Sequence, residues 1–275
     1  MDLRNRWSTL SAQQIVTLLS ILGGFAVNTL SNLFPVNGLN VGQVSNLLFG
    51  AVQIIPANYA FAIWGLIYIS LLGFGLYQLQ PSSQTIPNLP RSGWLLVAAS
   101  LAQMAWIYLF DLRLFAWSVV PMLGILLALI GMYLGLEIGK PQVSGKPQVS
   151  RSQRWLVNYP ISLYLGWISV ATVVNGAIAL YSLGWKGGGI SPALWTVGML
   201  LVSGAIALVI ALQKRDPVFP LVMVWALVAI AVKQGSDRLI LITSLGLAAG
   251  LVLAVLGSQL RDTLSPSNAA ADKRR

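Results

Sequence analysis

The sequence predicts an all-α membrane protein, a polytopic bundle of about eight transmembrane helices. Three observations carry that expectation. Of 275 residues, 56% are hydrophobic and only 9% charged. A soluble domain carries about 25% charged residues, so this chain lacks the charge to coat a water-soluble globule. Its apolar runs reach about 20 residues, the length that spans a hydrocarbon core. Finally, Lys and Arg alternate between successive loops as the positive-inside rule requires.

Eight apolar segments fall at 15–34, 57–79, 93–110, 114–136, 156–181, 192–212, 218–232 and 239–260. Each should be a helix, because an apolar segment in lipid must satisfy its own backbone hydrogen bonds. The first is longer than a signal-peptide core and no small-x-small cleavage site follows it, so it reads as a retained helix. The seventh is the shortest. With the N-terminus inside, thirteen Lys and Arg residues fall in inner loops and tails, and four (Arg113, Lys186, Lys233 and Arg238) fall outside. A miscount of one helix would destroy this alternation. The expected topology therefore has N- and C-termini cytoplasmic, in a bacterial inner membrane. In a soluble protein a net charge of +10 would suggest nucleic acid. Here the basic residues are topology signals, and the expected partner is the lipid bilayer, with no nucleic acid.

The connecting segments differ in character. Residues 139–150 read GKPQVSGKPQVS, a tandem six-residue repeat whose Gly, Pro and Ser predict a flexible cytoplasmic linker. The tail from Ser265 ends in Lys273-Arg274-Arg275 and reads as a disordered segment suited to anionic lipid. The outer loop 35–56 carries no charge but contains Leu47-Leu48-Phe49 and Val52-Gln53-Ile54-Ile55, which predicts that it lies on the bundle.

The chain has no Cys and no His. Disulfides, thiolate catalysis and iron–sulfur ligation are excluded, along with the commonest metal ligand and near-neutral proton shuttle. Ionisable residues cluster at segment ends: Asp111 and Arg113 in a tight turn, Glu137 at the inner face, and Lys233, Asp237 and Arg238 at the outer end of the seventh segment. Ion-coupled pumps keep such residues at mid-depth, so their position weighs against proton-coupled transport. No enzymatic activity and no required cofactor are expected.

Aromatic and amide side chains remain. Four of ten tryptophans, Trp94, Trp155, Trp185 and Trp195, lie near segment ends, as interfacial belts do. Trp64, Trp106 and Trp167 lie inside segments. Phe61, Trp64 and Tyr68 are spaced three and four apart, so at ~100° per residue they project within about 60° of one another. Gln103, Trp106 and Phe110 repeat that geometry, and Tyr164, Trp167, Ala171 and Asn175 form a stripe over three turns. Two readings stay open here. The stripes fill a helix–helix core, with the amides bonding neighbouring helices, or they hold a flat apolar ligand by stacking, with a few polar groups orienting it.

These residues resemble the signatures of the TspO/MBR family, the tryptophan-rich sensory or translocator proteins. Pro56-Ala57-Asn58-Tyr59-Ala60-Phe61 followed by Trp64-Gly65-Leu66-Ile67-Tyr68 is similar to its second-helix motif. Gln103-x-x-Trp106 with Phe110 resembles the third-helix motif, and Tyr164-x-x-Trp167, Ala171 and Asn175 resemble the fifth. Asn28 to Asn32 and the loop beginning Pro35-Val36-Asn37-Gly38 look like a long bacterial branch. Tyr59 stands where the family has Trp, Gln103 where it has Asn, and the Trp64 piece is one residue short and lacks its Pro. The resemblance spans residues 15–182 as a five-helix bundle, leaving 183–260 as three additional helices between cytoplasmic ends at 1–14 and 261–275.

The resemblance implies an internal pocket capped by loop 35–56, a homodimer, and a tetrapyrrole (porphyrin) or sterol-like ligand in stress sensing or transport. The leading expectation is thus a non-enzymatic receptor or translocator for a hydrophobic small molecule. Its ligand-binding residues would be Tyr59, Phe61, Trp64, Tyr68, Gln103, Trp106, Phe110, Tyr164, Trp167 and Asn175, with no metal site. Without His or Cys, metal-free and iron porphyrins should bind alike. The alternatives are an eight-helix transporter gated near 213–217 or Lys233, and an assembly protein using the Gly246–Gly250 small-residue motif.

Overall fold

A computed structural model describes residues 11–140, 149–214 and 216–264, the last four as helical backbone. The N-terminal residues, most of the tandem repeat and the basic tail lie outside the described residues. Among the described residues all regular structure is helical: α1 (Ala12–Leu33), α2 (Ile63–Tyr77), α3 (Leu89–Asp111), α4 (Phe115–Gly135), α5 (Tyr159–Ser182), α6 (Pro192–Gln213), α7 (Val218–Lys233) and α8 (Arg238–Leu264). Seven of these, α2 and α5 together with their leading turns, are long and apolar enough to cross a membrane. The eighth, α7, has 16 residues. At 1.5 Å per residue it falls short of a ~30 Å hydrocarbon core.

Local chemistry sets the helix starts. Ser11 and Gln14 form a reciprocal capping box at α1, which satisfies two N–H groups that a helix start otherwise leaves unpaired. A short 3-10 turn, Asn58–Ala62, feeds α2. A wider π-turn, Arg154–Asn158, feeds α5 just before Pro160, whose ring excludes the carbonyl four residues back. Between α3 and α4, Arg113 adopts φ +63° to reverse the chain within three residues.

α3 packs along α1 and α4, α4 along α5, and α2 against α1 and α5. Where α1 starts and α2 ends, Gln14 Nε2 donates to the Gln78 carbonyl at 2.5 Å, and Gln78 Nε2 to the Gln14 carbonyl at 3.1 Å. Helices α6 to α8 are joined to this bundle through α7. Gly166 of α5 leaves room for α7 so closely that a Cβ there would stand 2.9 Å from Val222 Cβ. The buried core is accordingly continuous from Ile21 of α1 to Leu251 of α8. Gly246 and Gly250 face open space, while Ala248 between them is buried in the core.

Loop 35–56 lies on one end of the bundle, as its missing charge predicted. Asn40 and Gln43 form a second capping box within it. Val41, Val44, Phe49, Val52, Ile54 and Ile55 are buried, with the Phe49 ring edge-on to Phe115 at 4.8 Å. Leu47 and Leu48 point away and are exposed. The loop's second half is tied to α7. Ala57 N–H donates to the Ala229 carbonyl, Trp225 Nε1 to the Ala60 carbonyl and Gln234 Nε2 to the Gln53 carbonyl, each at 3.1 Å.

Candidate functional site

Helices α2, α3 and α5 bring their aromatic stripes together beneath the loop. Phe61, Trp64, Trp106, Phe110, Trp167 and Asn175 line one chamber, with Val41 and Ser45 of the loop as its roof. Trp64, Trp106 and Trp167 are buried. Phe61 meets Trp167 edge-on at 5.9 Å, and Trp106 lies tilted against Phe110 at 5.3 Å. Such offset geometries are the favoured ones for aromatic quadrupoles. The rings leave a cavity of about 30 Å³, room for little more than a water.

Asn175 is the polar group of this chamber. Its Oδ1 accepts from Trp106 Nε1 at 3.0 Å and from Ser118 Oγ at 3.1 Å. An indole N–H can only donate, so the amide nitrogen is turned the other way, and Asn175 Nδ2 is buried with no partner among the described residues. An unmet buried donor in an aromatic chamber is available to a ligand acceptor.

A second chamber of about 300 Å³ adjoins the first and shares Val41, Phe61, Trp64 and Trp106 with it. Its remaining lining includes four asparagines, Asn28 and Asn32 of α1, Asn40 of the loop and Asn58 before α2. Gly42 makes room for one of them: a Cβ at that position would stand 2.4 Å from Asn58 Oδ1. No charged residue lines either chamber among the described residues.

Four of the ten residues singled out in the sequence line neither chamber. Tyr59 is 44% exposed and meets Trp225 of α7 at 5.4 Å. Two residues before Phe61 on the 3-10 turn, it projects about 120° from Phe61 and toward α7. Gln103 is consumed inside the bundle: its Nε2 donates to Tyr68 Oη at 2.8 Å, and its Oε1 accepts from Tyr164 Oη. Tyr68 Oη in turn donates to the Gly24 carbonyl at 3.0 Å. Gln103, Tyr68 and Tyr164 thus cross-link α1, α2, α3 and α5 behind the Trp64 ring. Trp64 stacks on Tyr68 at 5.8 Å and meets Tyr164 edge-on at 5.9 Å.

Sequence reasoning did not assign the asparagine chamber. Its signal was the i, i+4 pair Asn28 and Asn32 on one face of α1. It also placed Asp111 in a turn and did not single out Asp216, whereas both carboxylates are buried. Asp111 accepts from Ser31 Oγ at 2.5 Å, while its other oxygen has no partner among the described residues. Asp216, between α6 and α7, is 3% exposed and accepts from Tyr133 Oη at 3.0 Å and from Val218 N–H at 2.9 Å. Burial pushes the Asp216 carboxyl above the usual carboxylate range, against the opposing pull of these hydrogen bonds. Lys233, the last residue of α7, is partly buried, and its ammonium has no partner among the described residues.

The fold and these chambers define a class: a polytopic helical membrane protein with an aromatic interior roofed by loop 35–56. Residues 14–257 match the family model described as TSPO-like protein, and the chain belongs to that family. The match runs through α6, α7 and most of α8, beyond the residues 15–182 that the motifs alone covered. No curated protein and no solved structure matches the chain.

Proposed function

We propose that this TSPO-like protein binds a flat, mostly apolar small molecule, a tetrapyrrole or sterol-like compound, and acts as a non-enzymatic receptor or translocator in stress sensing. The observation that supports this reading best is the convergence of Phe61, Trp64, Trp106, Phe110 and Trp167 from three helices on one chamber whose polar group, Asn175, keeps an unmet donor. At about 30 Å³ the chamber is far below the 300–1,000 Å³, in round numbers, of a drug-sized site. The ligand therefore enters from the adjoining 300 Å³ chamber and parts the rings as it does so. The loop bias favours cytoplasmic termini, with both chambers near the outer face. The test is porphyrin binding per folded molecule beside melting temperature for Trp64→Phe, Trp106→Phe and Trp167→Phe. Stacking is worth about 1–3 kcal/mol per ring in nucleic-acid sites. By analogy each variant should bind roughly fivefold to fiftyfold more weakly, since ~1.4 kcal/mol is a factor of ten. Lowered melting points with unchanged affinity in all three would reduce the stripes to packing.

A further inference from the structure

We infer that the asparagine-lined chamber receives the polar end of the ligand and selects an uncharged head, a hydroxyl, ester, carbonyl or amide, over an ionised carboxylate. The inference rests on the aromatic chamber being the seat of the ligand's flat body. It extends that reading to a group of residues with no role in it.

The hydrogen-bond inventory of the four amides carries the argument. Asn40 Oδ1 accepts from Gln43 N–H at 3.0 Å, and its amide N–H groups have no partner among the described residues. Asn32 Nδ2 donates to the Asn28 carbonyl at 2.8 Å and to Asn28 Oδ1 at 3.4 Å, while Asn32 Oδ1 and Asn28 Nδ2 have no partner among the described residues. Asn58 makes no side-chain hydrogen bond among the described residues, although it stands directly over Gly42. The chamber thus offers both donors and acceptors, and each amide carries both. A neutral head that accepts, donates or does both finds partners.

A carboxylate finds donors too, but no cation stands among the described lining residues to offset the hydration it gives up against Phe61, Trp64 and Trp106. An ion that gives up hydration without gaining an opposite charge is disfavoured, and where it can it binds as the neutral form instead. The shared wall fixes the order of the two parts. Phe61, Trp64 and Trp106 face both chambers, so a ligand seated on those rings reaches Asn58 and Asn28 with the end that stays nearest the mouth.

The test compares protoporphyrin IX, which bears two propionates, with its dimethyl ester. Both are titrated into the purified full-length chain in an uncharged detergent, with porphyrin fluorescence as readout. The variants are Asn58→Leu, Asn58→Lys and Trp167→Phe. Reading each variant against the wild type cancels the ester's greater partition into micelles. Asn58→Leu should weaken the ester by about fivefold, the equivalent of one hydrogen bond. Asn58→Lys places a cation at the mouth and should shift the acid-to-ester affinity ratio toward the acid by about tenfold. Trp167→Phe should weaken both probes and leave their ratio in place. If the ratio is unmoved by Asn58→Lys and the ester is unmoved by Asn58→Leu, while Trp167→Phe still weakens both, the polar-head assignment is wrong and the aromatic seat stands. If Trp167→Phe changes neither probe, or neither probe binds, the aromatic seat is lost and this inference with it.

Discussion

α7 is seated against the five-helix part at Gly166 with no room to spare, and adding one methyl group there tests that contact. In Gly166→Ala the new Cβ would stand 2.9 Å from Val222 Cβ, 3.2 Å from Val222 Cγ1 and 3.3 Å from the Phe219 carbonyl. Two of these atoms belong to the backbone of α7 or are bonded directly to it, so no rotamer change relieves the contact and the helix itself must retreat. Overpacking of this kind costs ~1–3 kcal/mol. Alanine also favours helix over glycine by up to about 1 kcal/mol, which would mask part of the loss. Gly176, on the same helix, supplies the control, because a Cβ there meets nothing within 4 Å. Gly176→Ala therefore reports helix preference alone, and the difference between the two variants reports the α5–α7 contact. Equilibrium unfolding in mixed micelles should place Gly166→Ala about 1–3 kcal/mol below Gly176→Ala. Hydrogen exchange should rise at Ala57, whose N–H is held by the α7 carbonyl of Ala229. A Gly166→Ala variant as stable as Gly176→Ala, with unchanged exchange at Ala57, would refute the claim that α7 is seated on α5 at this point.

Two further outcomes follow from buried polar groups. Asp216 is raised above its ordinary value by burial, so the folded state holds its proton more tightly than the unfolded chain does. Stability from this group is full below the unfolded carboxylate range and is lost as pH rises toward the raised value. Melting temperature should fall with rising pH across that window, and Asp216→Asn, which mimics the protonated form toward Tyr133, should flatten the dependence; an unchanged slope would remove Asp216 as its source. Gln103→Met deletes the two side-chain hydrogen bonds that join Tyr68 and Tyr164. It should lower stability by about 1–2 kcal/mol while leaving porphyrin affinity per folded molecule unchanged, and a selective loss of affinity would put Gln103 back among the ligand contacts.

The aromatic stripes were legible because helical periodicity alone puts Phe61 beside Trp64, Trp106 beside Phe110, and Trp167 beside Asn175. What periodicity cannot say is which neighbour a polar group meets. Gln103 and Asn175 look alike in sequence, each an amide on an aromatic stripe. Two tyrosine hydroxyls from other helices satisfy Gln103, whereas Asn175 is left with an unmet donor beside the chamber. Tyr59 misleads for a related reason. It sits inside the same motif as Phe61, but two residues away on the 3-10 turn Asn58–Ala62 it projects about 120° from Phe61 and meets Trp225 of α7.

Composition and the spacing of apolar runs determined that this chain is a helical membrane protein, because lipid leaves a backbone no other way to satisfy its hydrogen bonds. The family's motifs were likewise local patterns, readable within single helices. Only the tertiary structure decided that α7 is part of the bundle and holds the loop through Ala229, Trp225 and Gln234. Only it decided that Asp216 is buried against Tyr133, and that asparagines from α1, the loop and the start of α2 share one chamber. Each of these joins residues far apart in the chain. In an apolar solvent nearly every helix face is apolar, so the sequence pattern does not mark which face meets which; that choice is made by shape, by glycines that admit a neighbour, and by the few polar groups that must find partners.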